Sequence, residues 1–343
     1  MEDISTPFSN IGGNNPCYII AEIGSNHNGN FDQACEMIEK AVEAGVNAVK
    51  FQTFKAENHY SRKTPKISLY DKNIYDLIEE LEIDRTWHNK FAKISKNLGV
   101  DFLDSPCDFE AIDLAVQVDM PLLKVASFDM VDVRLIDKIS KTGRGVIFST
   151  GMANMSEIET AINICRKNRN DKLIVLQCTS LYPAPVELSN LRVMTTIQKA
   201  FNVIVGYSDH TLGDHIACSA VSMGAKVIEK HFTLNKNMKG PDHAFAIEPK
   251  ELSIMVQKIR DVELAIGDGI KNGPRPDEME HYEKARRSII AKREIRIGEI
   301  IKDEDLIIKR PGSGIHPSHI SLVVGRKAQK DILADEPITW DLI

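Results

Sequence analysis

Residues 202–233, NVIVGYSDHTLGDHIACSAVSMGAKVIEKHFT, carry the pattern that decides the fold. An apolar run (202–209) is followed by an amphipathic segment (213–224) and then by a second apolar run (225–233). Both runs are apolar along most of their length and become polar at their C-terminal ends. Such strands are typical of a parallel sheet that is covered on both faces. The stretch therefore predicts one strand–helix–strand unit of an α/β fold.

Six further strand candidates precede this unit, and amphipathic helical segments separate them. The candidates are CYIIAEIG (17–24), NAVKFQTF (47–54), VDFLDSP (100–106), LLKVASF (122–128), GVIFSTG (145–151) and KLIVLQCTS (172–180). Eight strand-then-helix units across residues 17–266 match the size of a (β/α)₈ TIM barrel. The alternative is an open doubly wound sheet. That fold usually has a Gly-x-Gly-x-x-Gly loop after its first strand, and AEIGSNHNGN lacks this spacing.

The sequence changes character after residue 266. Residues 267–284, GDGIKNGPRPDEMEHYEK, are charged and rich in glycine and proline, which is typical of a linker. Residues 285–343 alternate short strand candidates with turns and predict a small β-rich domain. We therefore expect a barrel domain over residues 1–266, with its core starting near residue 17, followed by the linker and this second domain.

Composition excludes several classes of protein. The net charge of -6 gives no reason to expect a nucleic-acid partner. The six cysteines are scattered, which predicts reduced thiols in a cytoplasmic protein and no disulfide framework. We expect no membrane span, because no apolar run reaches about 18 residues, and no secretory leader. An anionic substrate would need a local basic pocket in this acidic chain.

Polar residues collect at the C-terminal ends of the strand candidates, where barrel enzymes carry their active sites. Lys50, Lys124 and Lys230 interrupt strands that should contain no lysine if they are buried on both faces. A single strand-end serine more often caps or turns the chain, but here serines accompany the lysines at several strand ends. Lysines and hydroxyls in a dry pocket suit an anion that carries a carboxylate and a phosphate.

His210 and His231 stand at the ends of the last two strand candidates. These strands are neighbours in a closed barrel, so the two imidazoles can converge. Two histidine ligands leave coordination positions open on a divalent ion, which can then polarise a carbonyl group. Two hydrogen-bonded histidines near a turn explain the spacing equally well. Asp242 and His243, in the loop NMKGPDHAF, are further candidates for ligands or substrate contacts.

Seven stretches resemble the sialic acid synthase family, which includes N-acetylneuraminate, legionaminate and pseudaminate synthases. They are AEIGSNHNG, VKFQTF, STGM, CTSLYPAP, GYSDHTLG, IEKHFTL and GPDHAFAIEP. The segment KRPGSGI resembles the antifreeze-like (SAF) domain of that family. The resemblance implies a TIM barrel that condenses phosphoenolpyruvate with an N-acylated amino sugar, using Mn²⁺ or Mg²⁺. It also implies a domain-swapped homodimer, in which the SAF domain of one chain closes the barrel of the other.

The resemblance also assigns roles to residues. The phosphoenolpyruvate-binding positions are Lys50, Lys124, Ser127, Ser149 and Ser208. We add Ser180 to these candidates, although some sialate synthases have an asparagine there. The metal ligands are His210 and His231, and the positions near the sugar are Gln52, Asp129, Tyr182, Asp242 and, from the partner chain, Arg310. Glu22, Lys50 and Lys124 are the catalytic candidates. Glu22 is expected to serve as base for the attacking water or to position it, and the lysines to stabilise the carboxylate and the departing phosphate.

The acceptor sugar is less well defined by the motifs. N-acetylneuraminate synthase, acting on N-acetylmannosamine, is the first expectation, and legionaminate or pseudaminate synthase, acting on a 6-deoxy diacetamido hexose, is the alternative. ASFD (126–129) is closer to the pseudaminate branch, whereas GPDHAFAIEP is closer to the sialate and legionaminate branches. Three other functions are weighed as well: a deoxy-sugar-phosphate synthase, a lysine Schiff-base aldolase, and a non-enzymatic carbohydrate-binding protein.

Overall fold

The computed structural model describes residues 2–65 and 72–343. The chain divides into two compact units, Met1–Gly267 and Asp268–Ile343, and each unit has its own apolar core. No helix in the described part of the chain is long and apolar enough to cross a bilayer.

The first unit is a closed barrel of eight parallel strands, which a two-stranded hairpin precedes. The hairpin strands are β1 (Ile4–Ser5) and β2 (Asn10–Ile11), and the barrel strands are β3 (Tyr18–Gly24), β4 (Ala48–Thr53), β5 (Asp101–Pro106), β6 (Leu122–Val125), β7 (Gly145–Ser149), β8 (Leu173–Cys178), β9 (Ile204–Asp209) and β10 (Val227–His231). Strand β10 pairs with β9 on one side and with β3 on the other, and this pairing closes the barrel. The predicted TIM barrel is confirmed, and the open sheet is excluded.

Helices follow the strands and cover the barrel. They are α1 (Phe31–Glu43), α2 (Ala56–His59), α3 (Ile74–Glu80), α4 (His88–Leu98), α5 (Phe109–Gln117), α6 (Val133–Lys141), α7 (Met155–Lys167), α8 (Val193–Phe201), α9 (His215–Ser222) and α10 (Pro249–Ile266). Helix α7 shows how the sequence sets a boundary. The Asn154 side chain accepts hydrogen bonds from the first turn, and Glu157 bonds back to the Asn154 backbone, which completes a capping box.

A plug of apolar side chains fills the N-terminal half of the barrel interior. It consists of Ile4, Ile11, Tyr18, Ile20, Ala48, Leu103, Leu122, Ile147, Ile174, Leu176, Ile204 and Val227. The hairpin contributes Ile4 and Ile11, which explains why the chain begins with two short strands before the barrel. Side chains alternate between the two faces of a strand, so the next inward-facing residue after a plug residue lies two positions later, nearer the C-terminal end.

The segment between β4 and α4 contains more helical elements than predicted. The sequence indicated one strand-then-helix unit here, as elsewhere in the barrel. The structure adds α2, α3 and a 3-10 turn, Arg85–Trp87, before that helix. Helix α3 presents apolar residues at positions 74, 77, 78 and 81, and these residues line the mouth of the barrel.

The second unit contains short elements joined by turns. They are α11 (Met279–Ala285), β11 (Ser288–Ala291), β12 (Leu306–Lys309) and α12 (Ile320–Val323). Strands β11 and β12 pair antiparallel, and isolated bridges extend the pairing to positions such as Ile295 and Ile332. Residues 267–284, which the sequence predicted as a linker, include most of α11 and fall almost wholly in this unit.

Candidate active site

A pocket opens at the C-terminal end of the barrel, directly above the apolar plug. In seven of the eight strands, a residue two positions after a plug residue lines this pocket. These seven residues are Glu22, Lys50, Ser105, Lys124, Ser149, Cys178 and Glu229. On these strands, one inward-facing residue belongs to the apolar plug and the next, two positions later, lines the pocket.

Four buried charges alternate in sign across the floor of the pocket. Lys50 Nζ lies 2.5 Å from Glu22 Oε2 and 3.7 Å from Glu229 Oε2. Lys124 Nζ lies 3.5 Å from Glu229 Oε1. All four residues are at most 5% exposed. The two ammonium groups are thus balanced by two carboxylates before any ligand binds.

The two carboxylates differ in their affinity for protons. Burial raises the pKa of Glu22 to about 7, against the attraction of Lys50. Burial alone would also raise the pKa of Glu229, but Lys124, Lys50 and the Ser208 hydroxyl outweigh it and hold this pKa at about 2. Glu22 is therefore suited to exchange a proton near neutral pH, whereas Glu229 stays ionised.

The pKa values of the two buried lysines shift in opposite directions. Burial lowers the pKa of Lys124, and Glu229 only partly opposes this effect. For Lys50, burial alone would lower the pKa, but Glu22 and Glu229 outweigh it and raise the pKa instead. Lys50 is consequently the more firmly charged of the two.

Serine hydroxyls surround the lysines. Ser208 Oγ donates to Glu229 Oε1 at 2.9 Å, and Ser127 Oγ accepts the Gly151 backbone N–H at 3.0 Å. The hydroxyls of Ser149 and Ser180 are buried and have no hydrogen-bond partner within residues 2–65 and 72–343. Buried polar groups are normally satisfied, so two such hydroxyls beside two lysines indicate a place for a ligand with oxygen acceptors.

The imidazoles of His210 and His231 converge, with ring centroids 5.4 Å apart. His210 Nδ1 donates to the Thr179 carbonyl oxygen at 2.8 Å, so in the neutral ring the lone pair of Nε2 is available to a metal ion. His231 Nδ1 is buried, lies 3.7 Å from Asp242 Oδ2, and has no hydrogen-bond partner in the described part of the chain.

Protonation decides whether these histidines can bind a metal, because a ligating imidazole must be neutral. Burial lowers the pKa of His231 well below its usual value, so this ring is neutral. Burial alone would lower the pKa of His210, but Cys178 and the Thr179 carbonyl raise it, so a metal there would compete with a proton. The residues therefore fit a divalent ion held by two imidazoles.

No three His, Cys, Asp or Glu side chains among the described residues are grouped as a preformed metal site. Any ion held by the two imidazoles would complete its coordination with ligand oxygens or water. Open positions of this kind are characteristic of a catalytic metal site rather than a structural one.

The residues assigned to the sugar lie around the same pocket. Gln52 Nε2 donates to Glu22 Oε1 at 2.6 Å, and the Tyr182 ring lies 4.3 Å from that of His210. Burial raises the pKa of Asp242 to about 6, and burial also raises the pKa of Asp129. Both carboxyls are thus poised to hydrogen-bond with hydroxyl or amide groups.

All residues of the first unit to which the family resemblance assigned a role, together with Ser180, line this one pocket. They are Glu22, Lys50, Gln52, Lys124, Ser127, Asp129, Ser149, Ser180, Tyr182, Ser208, His210, His231 and Asp242. Arg310 lies in the second unit, where it is exposed and its Nε donates to the Ala285 carbonyl oxygen at 2.6 Å. The structure brings the first set together, and the individual roles stay predictions.

Two candidates from the sequence do not line the pocket. Lys230 instead donates to Asp209 Oδ2 at 2.8 Å and to the Thr211 carbonyl oxygen at 2.7 Å. His243 is fully buried, and its Nδ1 lies 2.7 Å from the Thr233 hydroxyl. Each of these side chains therefore supports the framework around the pocket.

Sequence reasoning missed one wall of the pocket. This wall, which we call the apolar wall, consists of Phe54, Ile74, Leu77, Ile78 and Leu81. Its helix positions follow an i, i+3, i+4, i+7 pattern that predicts an amphipathic helix and could have revealed it.

Ser105, His59 and Glu229 also line the pocket, and no role was assigned to them from the sequence. His59 Nδ1 lies 4.0 Å from Asp129 Oδ1, and the His59 ring stacks on Phe54 at 6.0 Å. The apolar wall thus adjoins the residues assigned to the sugar. Glu229 stands two residues before His231, so the strand period could have placed it in the pocket.

The chain was compared with known proteins. The NeuB family model matches residues 37–271, and the SAF domain model matches residues 286–343. N,N'-diacetyllegionaminic acid synthase from Campylobacter jejuni is 40% identical over 93% of this chain and 98% of its own length. Human N-acetylneuraminate-9-phosphate synthase is 36% identical over 97% of this chain and 94% of its own length.

A solved structure gives the same result. N-acetylneuraminic acid synthetase from Leptospira borgpetersenii, crystallised with citrate, has a TM-score of 0.75 at 33% identity, covering 82% of this chain and 95% of that one. Both family models, the relatives and the fold agree over nearly the whole length. The chain therefore belongs to the NeuB family and ends in a SAF domain.

Proposed function

We propose that this enzyme condenses phosphoenolpyruvate with an N-acylated amino sugar, releasing phosphate and forming a sialic-acid-type nine-carbon sugar acid. Membership of the NeuB family, whose relatives are named as synthases of such acids, makes it a transferase-type enzyme. The observation that carries the proposal is the pocket itself, in which Lys50, Lys124 and two unsatisfied serine hydroxyls face the converging His210 and His231.

The lysine–serine half of the pocket suits phosphoenolpyruvate. Lys50 and Lys124 supply ammonium groups, and Ser127, Ser149, Ser180 and Ser208 supply hydroxyls for its carboxylate and phosphate. Glu22 and Glu229 already neutralise the two lysines, so a polyanion adds uncompensated negative charge beside them. Glu22, with its pKa of about 7, is the one of these two carboxyls that exchanges a proton more readily near neutral pH.

The histidine half of the pocket suits the aldehyde end of the sugar. A divalent ion, Mn²⁺ or Mg²⁺, held by His210 and His231 would polarise the aldehyde carbonyl. Tyr182 and Asp242 border the two imidazoles and are placed to orient the sugar. Both imidazoles are buried at the end of the barrel, beside the place proposed for the aldehyde.

The bond changes fit the positions of the charged residues. C3 of phosphoenolpyruvate forms a bond with the aldehyde carbon, the π bond of the carbonyl breaks so that its oxygen becomes a hydroxyl after taking up a proton, and water adds to the cation that develops at C2. Glu22, ionised and 2.5 Å from Lys50 Nζ, accepts a proton from that water. The resulting hemiketal phosphate then loses phosphate by cleavage of its C–O bond, and Lys50 and Lys124 stabilise the departing oxygens.

The apolar wall favours a 6-deoxy diacetamido hexose over N-acetylmannosamine, the first expectation from the sequence. The wall lies beside Asp129 and His59 and presents no hydroxyl or amide side chain. A sugar hydroxyl placed against these five side chains would find no hydrogen-bond partner among them, whereas a methyl or acetyl group would gain apolar contacts. Two relatives named N,N'-diacetyllegionaminic acid synthase, 40% and 37% identical to the chain, support this choice.

A second copy of the chain is the partner that we propose for the mouth of the barrel. The loops and helix starts after β6, β7, β8 and β9 expose large apolar side chains, which form an apolar rim. The rim consists of Phe128, Val131, Val133, Met152, Met155, Leu181, Val186, Leu188 and Leu212. Exposed apolar patches of this kind mark interaction sites. A domain-swapped homodimer would cover the rim and would bring Arg310 to the sugar. The six free cysteines support a cytoplasmic enzyme.

A phosphate-release assay over a sugar panel tests the proposed function. The panel contains N-acetylmannosamine, its 6-deoxy-4-acetamido analogue, the altro-configured isomer of that analogue, and a phosphorylated N-acetylmannosamine. We expect Mn²⁺-dependent release with the unphosphorylated sugars, highest with the analogue. Turnover of the phosphorylated sugar alone would indicate a 9-phosphate synthase, as the human relative is named, and would exclude an unphosphorylated acceptor. Sugar binding without phosphate release would indicate a binding protein. Borohydride trapping of pyruvate on a lysine would indicate a Schiff-base aldolase.

A variant of the apolar wall tests the choice of acceptor separately. Ile78→Gln places an amide in the wall, and we expect it to lower kcat/KM for the diacetamido sugar more than for N-acetylmannosamine. Ile254→Gln, which changes an exposed isoleucine on α10, is the matched control and should alter neither value. An equal loss with both sugars would remove the wall from the selection of the acceptor.

A further inference from the structure

Lys230 and Asp209 form a buried ion pair on the side of the strands that faces away from the pocket. Their charged atoms lie 2.8 Å apart, and their side chains are only 2% and 0% exposed. They are register partners in β10 and β9, and neither lines the pocket. Placing two charges away from water is costly, and a buried ion pair is by itself weak evidence for a stabilising role. The position of this pair gives a more specific reason for it.

The pair stands where the backbone pairing of the two strands stops. The last register pair between β9 and β10 is Asp209 with Lys230. His210 follows the first of these residues and His231 follows the second. His210 and His231 therefore lie just beyond the paired part of β9 and β10, where strand pairing between these two strands does not fix their separation.

Side-chain hydrogen bonds take over at this point. Asp209 Oδ1 accepts the backbone N–H of Thr211 at 2.9 Å and its hydroxyl at 2.7 Å. Lys230 Nζ donates to Asp209 Oδ2 at 2.8 Å and to the Thr211 carbonyl oxygen at 2.7 Å. The residues on both sides of His210 are thus bonded to the residue directly before His231.

We propose that Asp209, Thr211 and Lys230 form a clamp that fixes the separation and direction of His210 and His231 and so sets the affinity for the divalent ion. The inference rests on the proposed function, since it concerns the same two imidazoles. The clamp residues touch neither substrate pocket nor imidazole nitrogen, so they are positioning residues. Groups that orient metal ligands from outside typically change metal affinity about 10- to 100-fold when they are removed.

Two variants of the full-length chain separate this role from a general contribution to folding. Lys230→Met removes the ammonium group and leaves Asp209 buried without its ion-pair partner. The double variant Lys230→Met with Asp209→Asn leaves no unpaired buried charge, and the asparagine Oδ1 can still accept both bonds from Thr211. The double variant is therefore the one expected to keep its stability while losing the link between the strands.

A matched control removes a buried hydrogen bond between barrel strands far from the histidines. Tyr18 Oη donates to Asp101 Oδ2 at 2.7 Å, and both side chains are buried at the opposite end of the barrel. Tyr18→Phe should lower the melting temperature without changing affinity for the ion. A loss of affinity caused only by lower stability would appear in this control as well.

The experiment titrates each metal-stripped protein with Mn²⁺ alone, follows free Mn²⁺ by electron paramagnetic resonance, and records thermal unfolding alongside. We expect both clamp variants to bind Mn²⁺ at least about 10-fold more weakly than the wild type and Tyr18→Phe to match the wild type. Binding within twofold of wild type in the double variant would overturn the clamp alone. A wild type that bound no Mn²⁺ would contradict the metal site of the proposed function, and the clamp with it.

Discussion

Replacing Lys124 with methionine should damage both stability and the use of phosphoenolpyruvate. The change keeps the length of the side chain and removes an ammonium group that is buried 3.5 Å from Glu229 Oε1. Within residues 2–65 and 72–343, Glu229 then keeps Lys50, at 3.7 Å, as its ammonium partner and the Ser208 hydroxyl, at 2.9 Å, as a hydrogen-bond donor. Breaking a buried ion pair costs about 3–5 kcal/mol, and the remaining partners place Lys124→Met near the lower limit. For a unit of this size, about 3 kcal/mol corresponds to a fall in Tm of roughly 6–12 °C.

The loss of binding is a separate quantity. A hydrogen bond to a charged group contributes about 1.5–3 kcal/mol, so kcat/KM for phosphoenolpyruvate should fall roughly 10- to 150-fold. The assay is phosphate release at saturating sugar with varied phosphoenolpyruvate, and circular dichroism gives the Tm. Lys226→Met, which changes a lysine at the opposite end of the barrel, is the control and should leave kcat/KM unchanged.

A second substitution distinguishes the two effects. In Lys124→Met with Glu229→Gln, no buried carboxylate lacks a counter-ion, so most of the lost stability should return while kcat/KM stays low. Recovery of kcat/KM together with Tm would refute the reasoning, because the defect would then come from the unpaired Glu229. Wild-type kcat/KM in Lys124→Met itself would remove Lys124 from the anion site.

Three further outcomes follow from the site. In the wild type, EDTA should abolish turnover and Mn²⁺ should restore it. His210→Ala and His231→Ala should each abolish turnover, and an active double variant would contradict the metal assignment. Folding raises the pKa of Glu22 from 4.5 to about 7, so its contribution to stability is complete below about pH 4.5 and is lost as the pH rises to about 7. Glu22→Gln should remove that decline, and urea unfolding across this pH range measures it. The same slope of unfolding free energy against pH in Glu22→Gln as in the wild type would mean that Glu22 does not titrate there. Arg310→Ala should raise the KM for the sugar and leave the KM for phosphoenolpyruvate unaltered, and a normal KM for the sugar would exclude Arg310 from the site.

The barrel could be predicted from the sequence because its strands are long apolar runs with polar ends. The same polarity identified the pocket, since residues such as Lys50 and Ser149 stand out against an apolar strand. The hairpin was missed because β1 and β2 have two residues each, which is too short for any period to appear. Helix α2 has four residues and was missed for the same reason, whereas the apolar positions of α3 follow a helical period that could have revealed it.

The direction of a strand side chain was harder to predict than its position. Lys124 and Lys230 appear equivalent in the sequence, yet Lys124 lines the pocket and Lys230 does not. Lys230 is adjacent to His231, and neighbouring strand residues point to opposite faces, so only one of the two can face the pocket. Glu229 is two residues from His231 and shares its face. The two-residue period, applied outward from the histidines, would have separated these cases.

In the proposed function, the chain joins phosphoenolpyruvate to an unphosphorylated amino sugar, and phosphate leaves by cleavage of its C–O bond. The most direct measurement uses phosphoenolpyruvate labelled with ¹⁸O in the bridging oxygen, together with Mn²⁺ and the diacetamido sugar. Mass spectrometry then follows the released phosphate and the product. We expect sugar-dependent release of phosphate that carries the label, together with an unlabelled nine-carbon acid. Phosphate released without sugar, or label retained in the organic product, would contradict the proposed function.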